Sequence, residues 1–320
     1  MFYSIILSFL VMIAILGPSL FIFLVVFCLT ALWWFRVAPV PEASVNAVLG
    51  DKPLVIAHRG AALDAPENTI EAFQLAKKNG ADAIEFDLEF TKDSCPVIIH
   101  DDTVDRTTDG KGPISSYSFE AIQKLDAAAK HKDGTQFGKV KVPSLEEAVV
   151  ACLRLKLKMF IDCKRDAKLT AQCLSQLFTK YPDMYKETIV CSFYFNIIYK
   201  LRQIDPKIVT GLTFRHQFIT KSLDQENSRW WHWLACIGDI LLELAHHIFL
   251  WYLCGNSACL MNNLCYSSNS HTFWKNRGLH LVLWTVNDSR EKDYLLHTKK
   301  CSIITDTIKN DKINRPDTSC

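Results

Sequence analysis

Three acidic residues alternate along one short apolar run, Ile84-Glu85-Phe86-Asp87-Leu88-Glu89-Phe90. Successive side chains of a strand point to opposite faces. Glu85, Asp87 and Glu89 therefore share one face, and Ile84, Phe86, Leu88 and Phe90 the other. Carboxylates crowded on a buried face repel one another, and a cation relieves the repulsion. An edge strand with a solvated acidic face is the competing explanation, but a parallel strand covered on both sides has no such face. A second run, Met159 to Lys164, repeats the pattern and places Phe160, Asp162 and Lys164 together. Asp162 is a candidate third oxygen ligand and Lys164 a candidate phosphate contact; a structural Asp–Lys pair accounts for the same two residues.

Two histidines complete the set. His58-Arg59-Gly60 follows the apolar run Leu54–Ala57, and His100-Asp101-Asp102 follows Val97-Ile98-Ile99. Both stand where a strand gives way to a loop, the edge on which parallel α/β barrels carry their chemistry. Two imidazoles suit a base and an acid near neutral pH. Arg59 offers a planar fork to a phosphate. Each motif alone is weak, since a lone histidine is ordinarily structural. Their coincidence with the acidic run carries the information. Oxygen ligands without Cys or His favour Mg²⁺, with Ca²⁺ second, over Zn²⁺.

These residues need a scaffold. Eight strand-like runs can be read: Leu54–Ala57, Ala83–Phe90, Met159–Lys164, Thr188–Phe193, Ile208–Thr213, Met261–Tyr266, Leu279–Val286 and Ser302–Thr305. Helical patterns lie between most of them, at Asn68–Asn79, Ser144–Leu155, Asp166–Lys180, Phe195–Gln203 and Ser289–His297. The alternation predicts an α/β fold with a parallel sheet, and its extent predicts a (β/α)8 TIM barrel over residues 54–306. A doubly wound open sheet is the alternative. The 320 residues carry a net charge of +2 with 22% charged residues, which excludes a strongly basic nucleic-acid binder and an acidic disordered chain. The 12 cysteines form no C-x-x-C pair and no zinc spacing, so buried thiols are expected rather than a disulfide framework.

Residues Phe2 to Phe35 carry no charge, longer than the roughly 20 residues a bilayer core requires. The run lacks the basic start of a signal peptide, and Trp33, Trp34 and Arg36 form an interfacial edge. A single N-terminal transmembrane anchor over residues 1–38 is expected, in the plasma membrane or an endomembrane, with a linker over 39–53 and a polar tail over 307–320. The charges flanking the run nearly balance and assign no orientation. A second hydrophobic stretch, Trp230 to Met261, contains Asp239, Glu243, His246 and His247. One crossing there would split the barrel between two sides of a membrane. An amphipathic insertion lying on the membrane or roofing the active site is expected instead. Asn287-Asp288-Ser289 is the one N-x-S/T match in the chain and, at the barrel mouth, is expected to be unused.

Taken together, His58-Arg59-Gly60, Ala65-Pro66-Glu67-Asn68-Thr69, Ile84 to Leu88, His100-Asp101-Asp102 continuing to Gly110, Trp284-Thr285-Val286-Asn287 and Ile303-Ile304-Thr305-Asp306 resemble the glycerophosphodiester phosphodiesterase family. The resemblance covers about residues 54–306. It implies a TIM barrel with a small insertion after the second strand, here about 101–142. It also implies hydrolysis of glycerophosphodiesters to sn-glycerol 3-phosphate and an alcohol, with a divalent cation. His58 and His100 match the acid–base pair, and Glu85 and Asp87 the metal ligands. Arg59 and Glu67 match active-site contacts, and Lys164 and Trp284 join them as substrate-binding candidates. Asp162 departs from the Glu that many members carry at the third ligand position, a side chain shorter by one C–C bond of roughly 1.5 Å. Glu89 stands where the family is often not acidic and is placed outside the metal shell. Lysophospholipids, as in a lysophospholipase D, are the alternative substrates, and a catalytically idle membrane scaffold is the rival class.

Overall fold

The computed structural model describes the backbone of residues 2–223 and 229–309, and side chains over 19–223 and 230–309. Among the described residues there are nine strands: β1 (Val55–His58), β2 (Ala83–Phe90), β3 (Pro96–Ile98), β4 (Lys158–Cys163), β5 (Thr188–Ser192), β6 (Val209–Phe214), β7 (Ala258–Asn262), β8 (His280–Trp284) and β9 (Ser302–Thr305). All but β3 pair in parallel, and β1 bonds both β2 and β9, so eight strands close into a barrel. Outside it pack α3 (Ile70–Lys78), α4 (Leu145–Leu155), α5 (Ala167–Lys180), α6 (Phe195–Ile204), α7 (Arg229–Ala245), α8 (Ser268–Lys275) and α9 (Ser289–Asp293), preceded in the chain by α1 (Phe2–Phe35) and α2 (Glu42–Leu49). The expected (β/α)8 architecture is present.

Strand alternation sorts the side chains as expected. Ile84, Phe86 and Leu88 join the outer core beneath the helices, where Phe73 of α3 stacks on Phe86 with ring centroids 5.6 Å apart. Ile56, Ala83, Phe160, Ile189, Val209, Leu260, Val282 and Ile304 fill the barrel interior. In the register, His58 lies beside Glu85 and Asp87 beside Asp162. The polar pairs thus sit one layer above the apolar filling, toward the C-terminal mouth.

Three sequence expectations need correction. Residues 39–53 are more than a linker. Val45, Val48 and Leu49 of α2, with Val40, pack on the interior core and plug the base of the barrel. The sixth barrel strand is Ala258–Asn262 rather than Met261–Tyr266. It ends where the Asn262 side chain accepts from Leu264 N and opens a 3₁₀ turn. The run before His100 lies outside the eight barrel strands, in keeping with the eight runs read from the sequence. Pro96–Ile98 folds back antiparallel on β2, with Leu88 opposite Ile98. Finally, the start of the expected polar tail is tied down: Asp64 accepts from Thr307 Oγ1 at 2.7 Å and from Ile308 N at 2.7 Å. Residues 310–320 lie outside the described residues.

The segment after β3 carries its own small core of Val104, Ile114, Ile122, Ala127, Val140 and Val142, joined to Val97 and Ile99. Cys152, Cys163, Cys191, Cys254, Cys259 and Cys301 are buried as free thiols.

Candidate active site

The site is built where β1, β2 and β4 end. The loop from β1 to α3 makes an unusually sharp approach, with Arg59, Ala61 and Asn68 at positive φ, all non-glycine residues. Gly60 has φ +85° and an added Cβ would stand 2.7 Å from Ala72 Cβ, so only glycine lets α3 come this close. The turn lets Arg59 N donate to Glu85 Oε2 at 3.0 Å.

Glu85, Asp87 and Asp162 converge: one carboxylate oxygen from each lies within 4.8 Å of the others. All three are buried. Burial pushes the Glu85 carboxyl up, reinforced by neighbouring Asp87 and opposed by His58. Burial likewise pushes Asp162 up, against the pull of Lys164. Burial acts in the same direction on Asp87, but Lys164, Arg59 and His100 outweigh it and hold that carboxyl well below its ordinary value. Asp87 is the best supported of the three: Lys164 Nζ lies 2.7 Å from its Oδ1, and Asn68 Nδ2 donates to its Oδ2 at 2.9 Å. Asp162 Oδ1 is buried with no hydrogen-bond partner among the described residues. An orphaned buried carboxylate oxygen beside two further carboxylates fits a hard divalent cation, so the three together could hold one even with the shorter Asp162.

Glu89 stands apart. Arg165 pairs with it at 3.3 Å, and burial pushes its carboxyl up to about 7. It does not belong to the three-carboxylate group.

Both histidines present Nε2 to this cluster and have Nδ1 tied to a carboxylate. His58 Nδ1 lies 2.5 Å from Asp306 Oδ1, and its Nε2 is 3.8 Å from Glu85 Oε2. Burial alone would lower the His58 pKa; Glu85 and Asp306 outweigh it and raise it. His100 Nδ1 lies 2.6 Å from Asp101 Oδ1, and its Nε2 is 4.0 Å from Asp87 Oδ1. His58 thus borders the acidic cluster at Glu85 and His100 at Asp87.

Arg59 Nη1 donates to Glu67 Oε1 at 3.2 Å, and Arg59 Nε lies 3.4 Å from Asp87 Oδ2 without a hydrogen bond of its own. Glu67 also takes two bonds from Arg106, each 2.8 Å, and Arg106 Nε reaches Asp101 Oδ2 at 2.6 Å. Burial would raise the Glu67 carboxyl, but Arg106 and Arg59 outweigh it and lower it. Glu67 therefore acts as a spacer between two guanidiniums. Lys164 Nζ also donates to His100 O at 3.0 Å. Trp284 ends β8 on the far side of the mouth, where its indole donates to Leu260 O at 3.0 Å. Phe193 meets the Trp284 ring edge-on at 5.5 Å and stacks on Phe218 at 4.9 Å.

The catalytic, metal and substrate candidates named from the sequence thus lie at the C-terminal ends of β1, β2, β4 and β8 or in the loops that follow β1 and β3. Missing from that selection were Asn68, Asp101, Arg106, Asn287 and Asp306, which orient the others. All five lie inside the stretches that carry the family resemblance, which was the signal available for them.

A profile of the glycerophosphoryl diester phosphodiesterase family matches residues 58–310. Among curated proteins, mouse glycerophosphodiester phosphodiesterase 1 is 41% identical over 283 residues, covering 87% of this chain and 86% of its own. The human protein of that name is 41% identical over 282 residues, covering 87% and 85%. Among solved structures, a glycerophosphodiester phosphodiesterase of Agrobacterium tumefaciens shares the fold with a TM-score of 0.63 at 24% identity, over 80% of this chain and 97% of its own. An Oleispira antarctica phosphodiesterase, solved with its product sn-glycerol-3-phosphate, does so with a TM-score of 0.62 at 22% identity, over 82% and 96%.

Proposed function

From its membership of the glycerophosphoryl diester phosphodiesterase family, a family of phosphoric diester hydrolases, we propose that this chain is a membrane-anchored, divalent-cation-dependent enzyme of glycerophospholipid metabolism. It cleaves glycerophosphodiesters to sn-glycerol 3-phosphate and the head-group alcohol. The observation that carries the reading is the pair of carboxylate-bound imidazoles facing Glu85, Asp87 and Asp162.

Glu85, Asp87 and Asp162 would hold the cation, with Mg²⁺ preferred by their hard oxygen donors. When bound, the cation neutralises the phosphodiester charge and polarises its P–O bond. Arg59 and Lys164 place two further positive charges at the rim of the acidic cluster, where non-bridging phosphate oxygens bind. Each histidine has its Nδ1 proton held by a carboxylate, which leaves Nε2 facing the reacting atoms. One Nε2 takes the proton of the attacking hydroxyl, from water or from the glycerol 2-position. The other protonates the leaving alcohol. Trp284 offers an apolar wall to the glycerol or head group.

The apolar helix α1 would be the anchor. Its described part, Ser19–Phe35, is apolar and exposed, and Trp33, Trp34 and Arg36 close it with interfacial residues. The aromatic rim of Phe193, Phe218 and Trp284 favours a second reading, in which acylated glycerophosphodiesters such as lysophospholipids use the same site. Assaying the purified chain on glycerophosphoinositol and on lysophosphatidylcholine, each with and without Mg²⁺, tests both. Turnover of neither would leave only the idle scaffold.

A further inference from the structure

Helix α7 is built inside out. It continues from Arg229–Ala245 through a π-helical turn, His246–Leu250, into Trp251–Cys254. Its polar side chains turn toward the protein. Asp239 accepts from Ile219 N at 2.7 Å and Thr220 N at 3.1 Å, Glu243 meets His216 at 3.0 Å, and His246 is buried against Phe214. Its large apolar side chains turn outward. Trp230, Trp233, Ile237, Leu241, Leu244 and Ile248 recur at helical spacing, each at least 50% exposed. A helix on the surface of a water-soluble protein has the reverse pattern. A continuous apolar face of this kind marks a partner or a membrane.

Residues Trp230–Cys254 are long and apolar enough to cross a bilayer. The barrel forbids it. β6 precedes the helix, β7 follows it, and the two pair directly, Gly211 with Ala258 through Phe214 with Met261. Strands bonded to each other lie on the same side of a membrane, and a single crossing between them would separate them.

The end of α7 meets the end of α1. Val37 N donates to Leu253 O at 2.9 Å, and Arg36 Nη1 to Tyr252 Oη at 2.6 Å. The apolar run of α1 and the outward face of α7 therefore leave from one point. Tryptophans at the far end of that face and Tyr252 and Arg36 at the near end are residues of the membrane–water boundary.

We propose that α7 lies along the bilayer surface, its outward face sunk to the head-group and acyl boundary. The proposal rests on α1 being the anchor. One consequence concerns the mouth of the barrel. Asp239 holds the loop after β6, and Phe218 in that loop stacks on Phe193 beside Trp284. The lipid-facing surface thus runs up to the aromatic rim of the site, so a phosphodiester that is itself an amphiphile enters from the bilayer sideways.

The test is photolabelling of the full chain in phosphatidylcholine vesicles. Two diazirine-bearing phosphatidylcholines are used, one reactive near the glycerol and one at the acyl-chain end, with adducts located by peptide mass spectrometry. The expected result is labelling of α1 by both probes and of residues 230–248 by the shallow probe alone. A triple variant, Trp233→Ser/Ile237→Ser/Leu241→Ser, should lose at least fivefold of that shallow labelling. Its turnover of soluble glycerophosphoinositol should stay within twofold of wild type, which reports that it folds. Deep labelling of 230–248 would mean a crossing helix and would overturn the proposal. So would the absence of label there with α1 labelled, or cross-links joining two copies through this face. Absence of label from both segments would remove the anchor reading together with the docking.

Discussion

Asp306 Oδ1 lies 2.5 Å from His58 Nδ1, joining the end of β9 to the end of β1 across 248 positions of sequence. Asp306 is itself held. Its Oδ2 accepts from Asn287 Nδ2 at 2.7 Å, and its backbone N donates to Asn287 Oδ1 at 2.9 Å. Three neighbouring strands, β8, β9 and β1, thus close a relay that fixes the His58 ring with Nε2 toward Glu85. The arrangement makes Asp306 a positioning residue.

Replacing Asp306 by Asn should therefore move a pH profile as well as a rate. The carboxylate helps to raise the His58 pKa, so its loss lowers that pKa. The limb of the kcat/KM profile that reports His58 should shift to lower pH. A shift of the acid limb identifies His58 as the base, and a shift of the alkaline limb as the acid. A loss of rate with an unmoved profile would assign Asp306 a purely structural part.

His58→Ala and His100→Ala should each lower kcat about 10²–10⁴-fold, the range for a general acid or base. Both rings are partly exposed at the mouth, so thermal denaturation should stay close to wild type. Near-normal turnover by either variant contradicts its assignment.

Metal binding should release protons. In the metal-free protein, burial raises the carboxyls of Glu85 and Asp162, so their protons persist to higher pH than on ordinary carboxyls. A cation must displace them. Titrating Mg²⁺ into weakly buffered protein should acidify it at neutral pH, and much less in the alkaline range where both groups have already ionised. Asp162→Asn should be inactive and Asp162→Glu partly active. Full activity of the Asn variant would remove Asp162 from the ligand set.

Asn287 should carry no glycan. Both ends of its amide are already bonded, to Asp306 and to Thr305 Oγ1 at 3.2 Å. A glycosidase-sensitive mobility shift that disappears in Asn287→Gln would contradict this and place the domain in a lumen.

Gly60→Ala should destabilise the fold by about 1–3 kcal/mol, the cost of a strained backbone position, before the close approach to Ala72 is counted. Chemical denaturation measures it; an unchanged midpoint would mean that the loop and α3 part freely.

The acidic strand was legible in the sequence because alternation alone assigns its two faces, and Phe86 does pack outward while Asp87 faces in. The same local logic does not say where Val97-Ile98-Ile99 goes, since an apolar triplet reads alike whether it joins a barrel or folds back on β2. It failed at Met261–Tyr266 because Ala258 and Cys259 are weak strand formers, while the polar stop at Asn262 sits inside the apolar run. Asp306 could not be chosen as the His58 partner from sequence, since only barrel closure brings β9 against β1. Residues 39–53 read as a linker because the three buried positions of α2 make too short an apolar stripe to distinguish a plug from a turn.

The most direct test of the central claim is release of sn-glycerol 3-phosphate from glycerophosphoethanolamine by the purified full chain, before and after exhaustive chelation and after Mg²⁺ is restored. The account predicts product formation that chelation abolishes, Mg²⁺ recovers, and Glu85→Ala or Asp87→Ala removes whatever cation is added. Undiminished turnover in the chelated protein, or in either carboxylate variant, would contradict it.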